Sequence, residues 1–494
     1  MGLTANLLLG LTLLFGFAPQ EEDTCEQLTE LYGSASRDKR RSAVRRLAKL
    51  GTEEAWGLVV RALADSDGLV ADEAEFRLAE AQAESTIELL YGRAGLKSKE
   101  APVAISAASA LGAINGEVDC EVLAKQLKAR DDELRFALLT ALEQRGRAGR
   151  LAGRRSRILR GVLSAKRTAR MPWTQACALV TAAVVAETER EREDLAREVT
   201  RAAKDREPSM RIAALLASES SAWLSPLASD SAVCVRLQVV ASAKLIADRE
   251  AARVLVGMLE SETHPRVRWQ IVGALQQISG LLHRGDPRPW RDWLARLSKD
   301  WRGTDKSPKA RNRAASRASL AGLPILSDRI VFLIDFSGSL WTKRRDGTIR
   351  KAYADAELRK ALESLPETAH FNLIPYTSVP HPWKPELVRA TKRNVGAAIQ
   401  WFEECTESGT GDFYEAAQLA LLDPEVDTIL TFTDGLPTGG RRCRLDLMVP
   451  SLLKRARFRR IAFDTLLVDA PKRLHRHWQR LADESGGQLH AVSQ

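Results

Sequence analysis

The 494 residues include only six cysteines, with no Cys-x-x-Cys pair, and seven histidines without metal-type spacing. Cysteines so few and scattered exclude a disulfide-built scaffold and a finger- or ribbon-type zinc site. Cys120, Cys177 and Cys234 fall in helical patterns and read as packed small hydrophobes, whereas Cys405 and Cys443 share the last part of the chain and could pair in an oxidising compartment. Aromatic residues make up 6% of the chain, which leaves little on which nucleobases could stack. Long apolar runs are absent beyond residues 7–17, and this excludes a protein with several membrane spans. That single run, with Gly16 and Ala18 behind it, fits a secretory signal over residues 1–20. Its n-region carries no Lys or Arg, so an uncleaved N-terminal membrane anchor is the competing reading. The expected location is exported: periplasmic, cell-surface or secreted.

What is present is Ala, Leu, Arg and Glu in helical order, with 45% hydrophobic residues overall. Residues 25–301 give no strand signal. Val267, Ile271, Ala274, Leu275 and Ile278 make one helical face; Leu134, Leu138, Ala141 and Leu142 make another; Ala43, Leu47 and Leu50 begin a third. Arg135, Arg211, Arg236 and Arg268 each stand near the start of such a face. Turn signals such as Asp65-Ser66-Asp67-Gly68 and Glu207-Pro208-Ser209 separate the faces. Helix pairs recurring at intervals of roughly 25 to 40 residues describe an α-helical solenoid, in which stacking neighbours bury what one pair cannot. The stretch from His264 through Pro265, Arg266 and Val267 to Leu275 resembles a HEAT repeat. Trp290, Trp293 and Trp301 follow it and are expected to cap the stack. Residues 302–327 read as a basic linker, with 314–320 as a short helix leading out of it.

From residue 328 to the end the pattern alternates buried strands with amphipathic helices, the signature of a doubly wound α/β domain. Ile330-Val331-Phe332-Leu333-Ile334 reads as a strand buried on both faces and runs into Asp335-Phe336-Ser337-Gly338-Ser339. A second such strand, Thr428-Ile429-Leu430-Thr431-Phe432, ends in Thr433-Asp434-Gly435. Oxygen-only side chains on two tight turns suit a hard divalent cation, Mg²⁺ first, with Mn²⁺ or Ca²⁺ behind it. Carboxyl ends of strands are also where an open α/β sheet places its ligand site.

Asp-x-Ser-x-Ser at Asp335, Ser337 and Ser339, followed by Thr-Asp-Gly at Asp434, resembles the von Willebrand factor A domain and its metal-ion-dependent adhesion site. The resemblance implies that Ser337 and Ser339 ligate the ion directly, with Asp335 and Asp434 neutralising its charge. Where the family carries a Thr between these motifs, this chain has Gly411, within Gly409-Thr410-Gly411-Asp412. Thr410 or Asp412 is the candidate replacement oxygen. An ion so held would keep one position open for a carboxylate from an acidic protein ligand. The two-part build resembles exported bacterial proteins of uncharacterised role.

Lys343, Arg344 and Arg345 after the first motif, and Arg441 and Arg442 after the second, are expected to rim the site and attract that acidic partner. A second basic stretch, from Arg145 to Arg170, lacks interleaved aromatics; this argues against nucleic acid and for a solvated face or an anionic envelope surface. Catalysis is not expected. Ser337 occupies the place where a phosphatase of the haloacid-dehalogenase type would need its second Asp, and no Gly-x-Ser-x-Gly elbow exists. Two functions follow: a metal-dependent binding module joined to a solenoid, or a scaffold whose solenoid recognises the partner while the terminal domain keeps a degenerate site.

Overall fold

The computed structural model describes residues 23–492 apart from 82–83, 219, 305–315, 317 and 344–346. The proposed signal over residues 1–20, Arg344 and Arg345 therefore lie outside the described residues. No helix among the described residues is long and apolar enough to cross a membrane.

Residues 25–295 form paired helices sharing one continuous apolar core. Val267, Ile271, Ala274, Leu275 and Ile278 are all buried in the helix Pro265–Ser279, as their spacing predicts. Helix starts are set locally: Thr24, Thr52, Asp131 and Thr188 cap with side-chain oxygens, and proline opens the helices Pro172–Val185, Pro208–Ala217 and Pro265–Ser279. The arginines near these starts tie one pair to the next. Arg211 holds Asp230 through two bonds of 2.7 and 2.8 Å and also donates to the carbonyls of Asp205 and Arg206. Arg236 repeats the pattern on Glu262 and the carbonyls of Asp230 and Ser231, and Arg40 on Asp65. Each rung satisfies turn carbonyls that would otherwise lose water at the seam between pairs.

Part of the basic stretch is engaged in a similar way. Arg145 is buried and donates to the carbonyls of Leu111, Ile114 and Gly116; Arg157 pairs with Glu121, and Lys166 with Glu198. Arg147, Arg154, Arg157, Arg160, Arg167 and Arg170 are exposed, as a solvated face requires. Trp290 is fully buried, its ring edge-on to Trp293, which in turn meets Trp301, at the end of the stack.

The second body is a sheet of β3 (Arg329–Asp335), β4 (His370–Tyr376), β5 (Val388–Arg389), β6 (Thr428–Thr433), β7 (Ala462–Val468) and β8 (Leu489–Val492), preceded by a hairpin of β1 (Ser319–Leu320) and β2 (Leu323–Pro324). The order is β5-β4-β3-β6-β7-β8, parallel except for β5 at the edge. Alternate residues serve opposite layers. Ile330, Phe332 and Ile334 pack under the helices Arg350–Glu363 and Lys392–Glu404. Val331 and Leu333 pack under Phe413–Leu422, Leu445–Ala456 and Lys472–Ser485.

Residues 314–320 were expected to be helical, but Ser319–Leu320 pairs with Leu323–Pro324, and Ala318, Leu320, Leu323 and Ile325 join the sheet's core. Gly322, at φ 85°, makes the tight reversal that a helix could not. The described part of the expected linker is thus docked at both ends, since Gly303 and Thr304 donate to the carbonyls of Ala247 and Ile278.

The two bodies meet through charge. Arg442 pairs with Asp72 and Glu75, Arg444 with Glu73, Arg457 with Glu143, Arg455 with Glu133 and Arg266 with Asp464. Phe458 completes the contact by entering the helical core.

A candidate cation site at the sheet switch point

Chain order explains the location. From β3 the chain moves outward to β4 on one side and returns to β6 on the other, so the loops leaving β3 and β6 part from each other. A crevice at that switch point is where a doubly wound sheet holds a ligand. Asp335 ends β3 and Asp434 follows β6.

Asp335 is buried. Its Oδ1 accepts the Ser337 N–H at 3.0 Å and its Oδ2 accepts the Thr433 hydroxyl at 2.7 Å. The hydroxyls of Ser337 and Ser339 lie 3.1 Å apart. Asp335, Ser339, Thr433, Asp434 and Arg350 line one pocket of about 10 Å³, room for an ion or a water and for no organic ligand. Burial, and next the negative charge of Asp434, push the Asp335 carboxyl up to about 6. Two facing carboxylates with two hydroxyls are a donor set that a hard divalent cation fits. In the ion-free protein, stability from Asp335 is complete below its ordinary 3.8 and is lost as pH rises through about 6. Protons compete for the same oxygen, so Mg²⁺ affinity should rise with pH up to about 6 and then level off. Calorimetric titrations at several pH values measure this, and a flat profile would contradict it.

Three loops are laced around the pocket. Gly338 N–H donates to Gly409 O at 3.2 Å, Gly411 N–H to the Thr438 hydroxyl at 2.9 Å, and Thr438 N–H back to Gly411 O at 3.2 Å. Gly411 faces the site: a Cβ there would stand 3.2 Å from Asp335 Oδ1 and 3.4 Å from Ser337 Cβ. The Thr410 hydroxyl meets Ser378 Oγ at 3.0 Å, and Asp412 Oδ1 accepts the Glu415 N–H at 3.0 Å, capping the next helix. Burial pushes Asp412 up to about 6. The Thr410 hydroxyl and one oxygen of Asp412 thus have protein partners, and Asp412 Oδ2 remains as the candidate replacement for the missing Thr oxygen.

The basic rim is also smaller than expected. Lys343 is exposed, and Arg441 is exposed 3.8 Å from Glu415. Arg442 is no rim residue: its guanidinium is buried against Asp72 and Glu75 of the helical body. Cys405 and Cys443 are not paired either; all six cysteines are free, with these two thiols donating to the carbonyls of Trp401 and Gly439. Two residues were not anticipated. Thr433 was visible in the Thr-Asp-Gly turn as a hydroxyl beside the acid. Arg350, which donates to Ser339 O at 3.3 Å and lies 3.5 Å from Asp469, gave no sequence signal.

A family model described as von Willebrand factor type A domain matches residues 328–491. Inter alpha-trypsin inhibitor heavy chain 4 of Mus musculus is 34% identical over 130 residues, which cover 24% of this chain and 13% of the relative. Inter-alpha-trypsin inhibitor heavy chain H2 of Homo sapiens is 31% identical over 123 residues, covering 22% of this chain and 12% of the relative. The chain therefore spans only about an eighth of the length of these curated relatives. A solved von Willebrand factor type A structure from Catenulispora acidiphila is 17% identical, covers 34% of this chain and 40% of its own, and has a TM-score of 0.29. With the sheet order, the two acid-bearing turns and the family match in agreement, residues 328–491 are a von Willebrand factor type A domain set behind a stack of paired helices.

Proposed function

We propose that this chain is an exported, non-enzymatic binding module that captures an acidic protein ligand through a divalent cation. Ser337 and Ser339 would hold the ion directly, Asp335 and Asp434 would neutralise it, and Mg²⁺ is the first choice, with Mn²⁺ or Ca²⁺ behind it. When bound, the ion offers an open coordination position to an outside carboxylate. What supports this reading is the sharing of one ion-sized pocket by Asp335, Ser339 and Asp434, with Ser337 Oγ 3.1 Å from Ser339 Oγ. Exposed Lys343 and Arg441 would favour the approach of an anionic partner. The helical body would serve as scaffold or second contact surface.

One observation favours a second reading, in which the helical body recognises the partner and the cation site is degenerate. Gly411 supplies no side-chain oxygen, the Thr410 hydroxyl meets Ser378, and one Asp412 oxygen caps the next helix. Calorimetric titration of Mg²⁺ into the full chain and into its Asp335→Ala variant separates the two. The first reading expects heat only from the parent, together with retention on an immobilised Glu-rich peptide that chelator abolishes. Equal heats would end it. Gly411→Thr should tighten Mg²⁺ binding on the order of tenfold, equivalent to about 1.4 kcal/mol, if the restored hydroxyl reaches the ion. The carboxylate of Asp335 would have to yield by a few tenths of an ångström to admit the new Cβ.

A further inference from the structure

Asp328 and Asp427 immediately precede β3 and β6, so they mark the amino ends of the two strands whose carboxyl ends carry Asp335 and Asp434. Strands of this length put the two edges about 20 Å apart. At the amino edge a third residue arrives from the other body: His264, which precedes the helix Pro265–Ser279. One ligand-type atom from each of His264, Asp328 and Asp427 lies within 4.8 Å of the others. We propose that these three side chains form a second metal site, for a Zn²⁺-class ion, which clamps the helical stack to the sheet.

Three features support it. His264 Nδ1 is buried and has no hydrogen-bond partner, an uncommon state for an imidazole nitrogen. Asp427 is oriented as metal-bound carboxylates are: its Oδ1 accepts the hydroxyls of Ser327 and Thr428, which leaves Oδ2 for an ion. The nearby cations do not fill the place. Arg266 is engaged by Asp464 at 2.6 Å, and Arg329 is shared among Asp328 at 3.4 Å, Glu425 at 3.5 Å and His370 Nδ1 at 2.9 Å. One imidazole with two carboxylates suits Zn²⁺ better than Mg²⁺, whose preference is for oxygen alone. Bonds of about 2.0–2.1 Å in a tetrahedral shell would bring the ligand atoms to about 3.4 Å, so the side chains must close by roughly an ångström. Asp328 is half exposed, leaving a route for the ion and a fourth, water-filled position.

This site is independent of the adhesion-type site and is tested with that one disabled. In full-length protein carrying Asp335→Ala, equilibrium dialysis against Zn²⁺ should still find one tightly bound equivalent. Adding His264→Ala or Asp427→Asn should weaken it by more than the roughly 100-fold that loss of an outer-shell partner costs. The unsubstituted chain provides a check that no folding defect can confuse: saturating Zn²⁺ should protect His264 from diethyl pyrocarbonate, read by mass spectrometry. Absence of a bound equivalent in Asp335→Ala, unchanged affinity after His264→Ala, or unprotected His264 would each overturn the assignment.

Discussion

Replacing Arg266 with alanine should destabilise the full chain by about 3–5 kcal/mol, the cost of stranding one half of a buried ion pair. The Arg266 side chain is 1% exposed and that of Asp464 0%, with Nη2 2.6 Å from Oδ2. Its Nη atoms also reach Asp464 Oδ1, the Thr428 hydroxyl and the Gly486 carbonyl, so several buried polar atoms depend on the pair. One partner comes from the first turn of Pro265–Ser279 and the other from β7, and the loss therefore falls on the union of the two bodies. Calorimetric melting should show an earlier transition in Arg266→Ala. The double variant Arg266→Met/Asp464→Leu should recover most of the deficit, because an apolar pair of similar volume needs no counter-charge. A double variant no more stable than the single one would refute the charge argument.

Arg442→Ala should cost about as much at pH 7, about 3–5 kcal/mol, and its cost should depend on pH. Arg442 stands 2.8 Å from Glu75 and 3.6 Å from Asp72, whose side chains are 2% and 3% exposed. Burial pushes Asp72 up to about 6 even with Arg442 opposing it. Burial also opposes ionisation of Glu75, yet Arg442 and the neighbouring serines hold it below 4.5. In the parent, the Glu75 contribution is therefore present above 4.5 and lost as pH falls through its lower folded value. The Asp72 contribution runs the other way, complete below 3.8 and lost as pH rises through about 6. Without Arg442 both acids fold more easily as neutral groups. Urea unfolding should thus show a deficit that is small near about pH 4 and grows toward neutrality. A deficit constant across that range would contradict the account.

The sequence made the helical faces legible because period and burial are local properties. Val267, Ile271 and Ile278 needed only each other to announce their side. The two strands and their acidic turns were legible for the same reason, since unbroken β-branched runs are what a sheet covered on both faces requires. Arg442 was misread because it follows Thr-Asp-Gly closely in sequence, and nothing local reveals that Asp72 and Glu75 wait for it on another body. Thr410 and Asp412 are plausible oxygens by spacing, and only the structure reveals that Asp412 is also a helix N-cap with one carboxylate oxygen in that role. Residues 318–325 lacked an apolar run long enough to betray a hairpin, so the helical reading prevailed until pairing partners were in place.

By itself, then, the amino-acid order determined the two-part build, the class of each part, and the placing of Asp335 and Asp434 at the carboxyl ends of two strands. Only tertiary structure decided which charges meet: Arg266 and Asp464 are separated by 198 positions, and Arg442 and Glu75 by 367. The reason is physical. Helix and strand patterns are written within a few residues, whereas the pairing of buried charge depends on how two finished surfaces dock and which groups lose their water together.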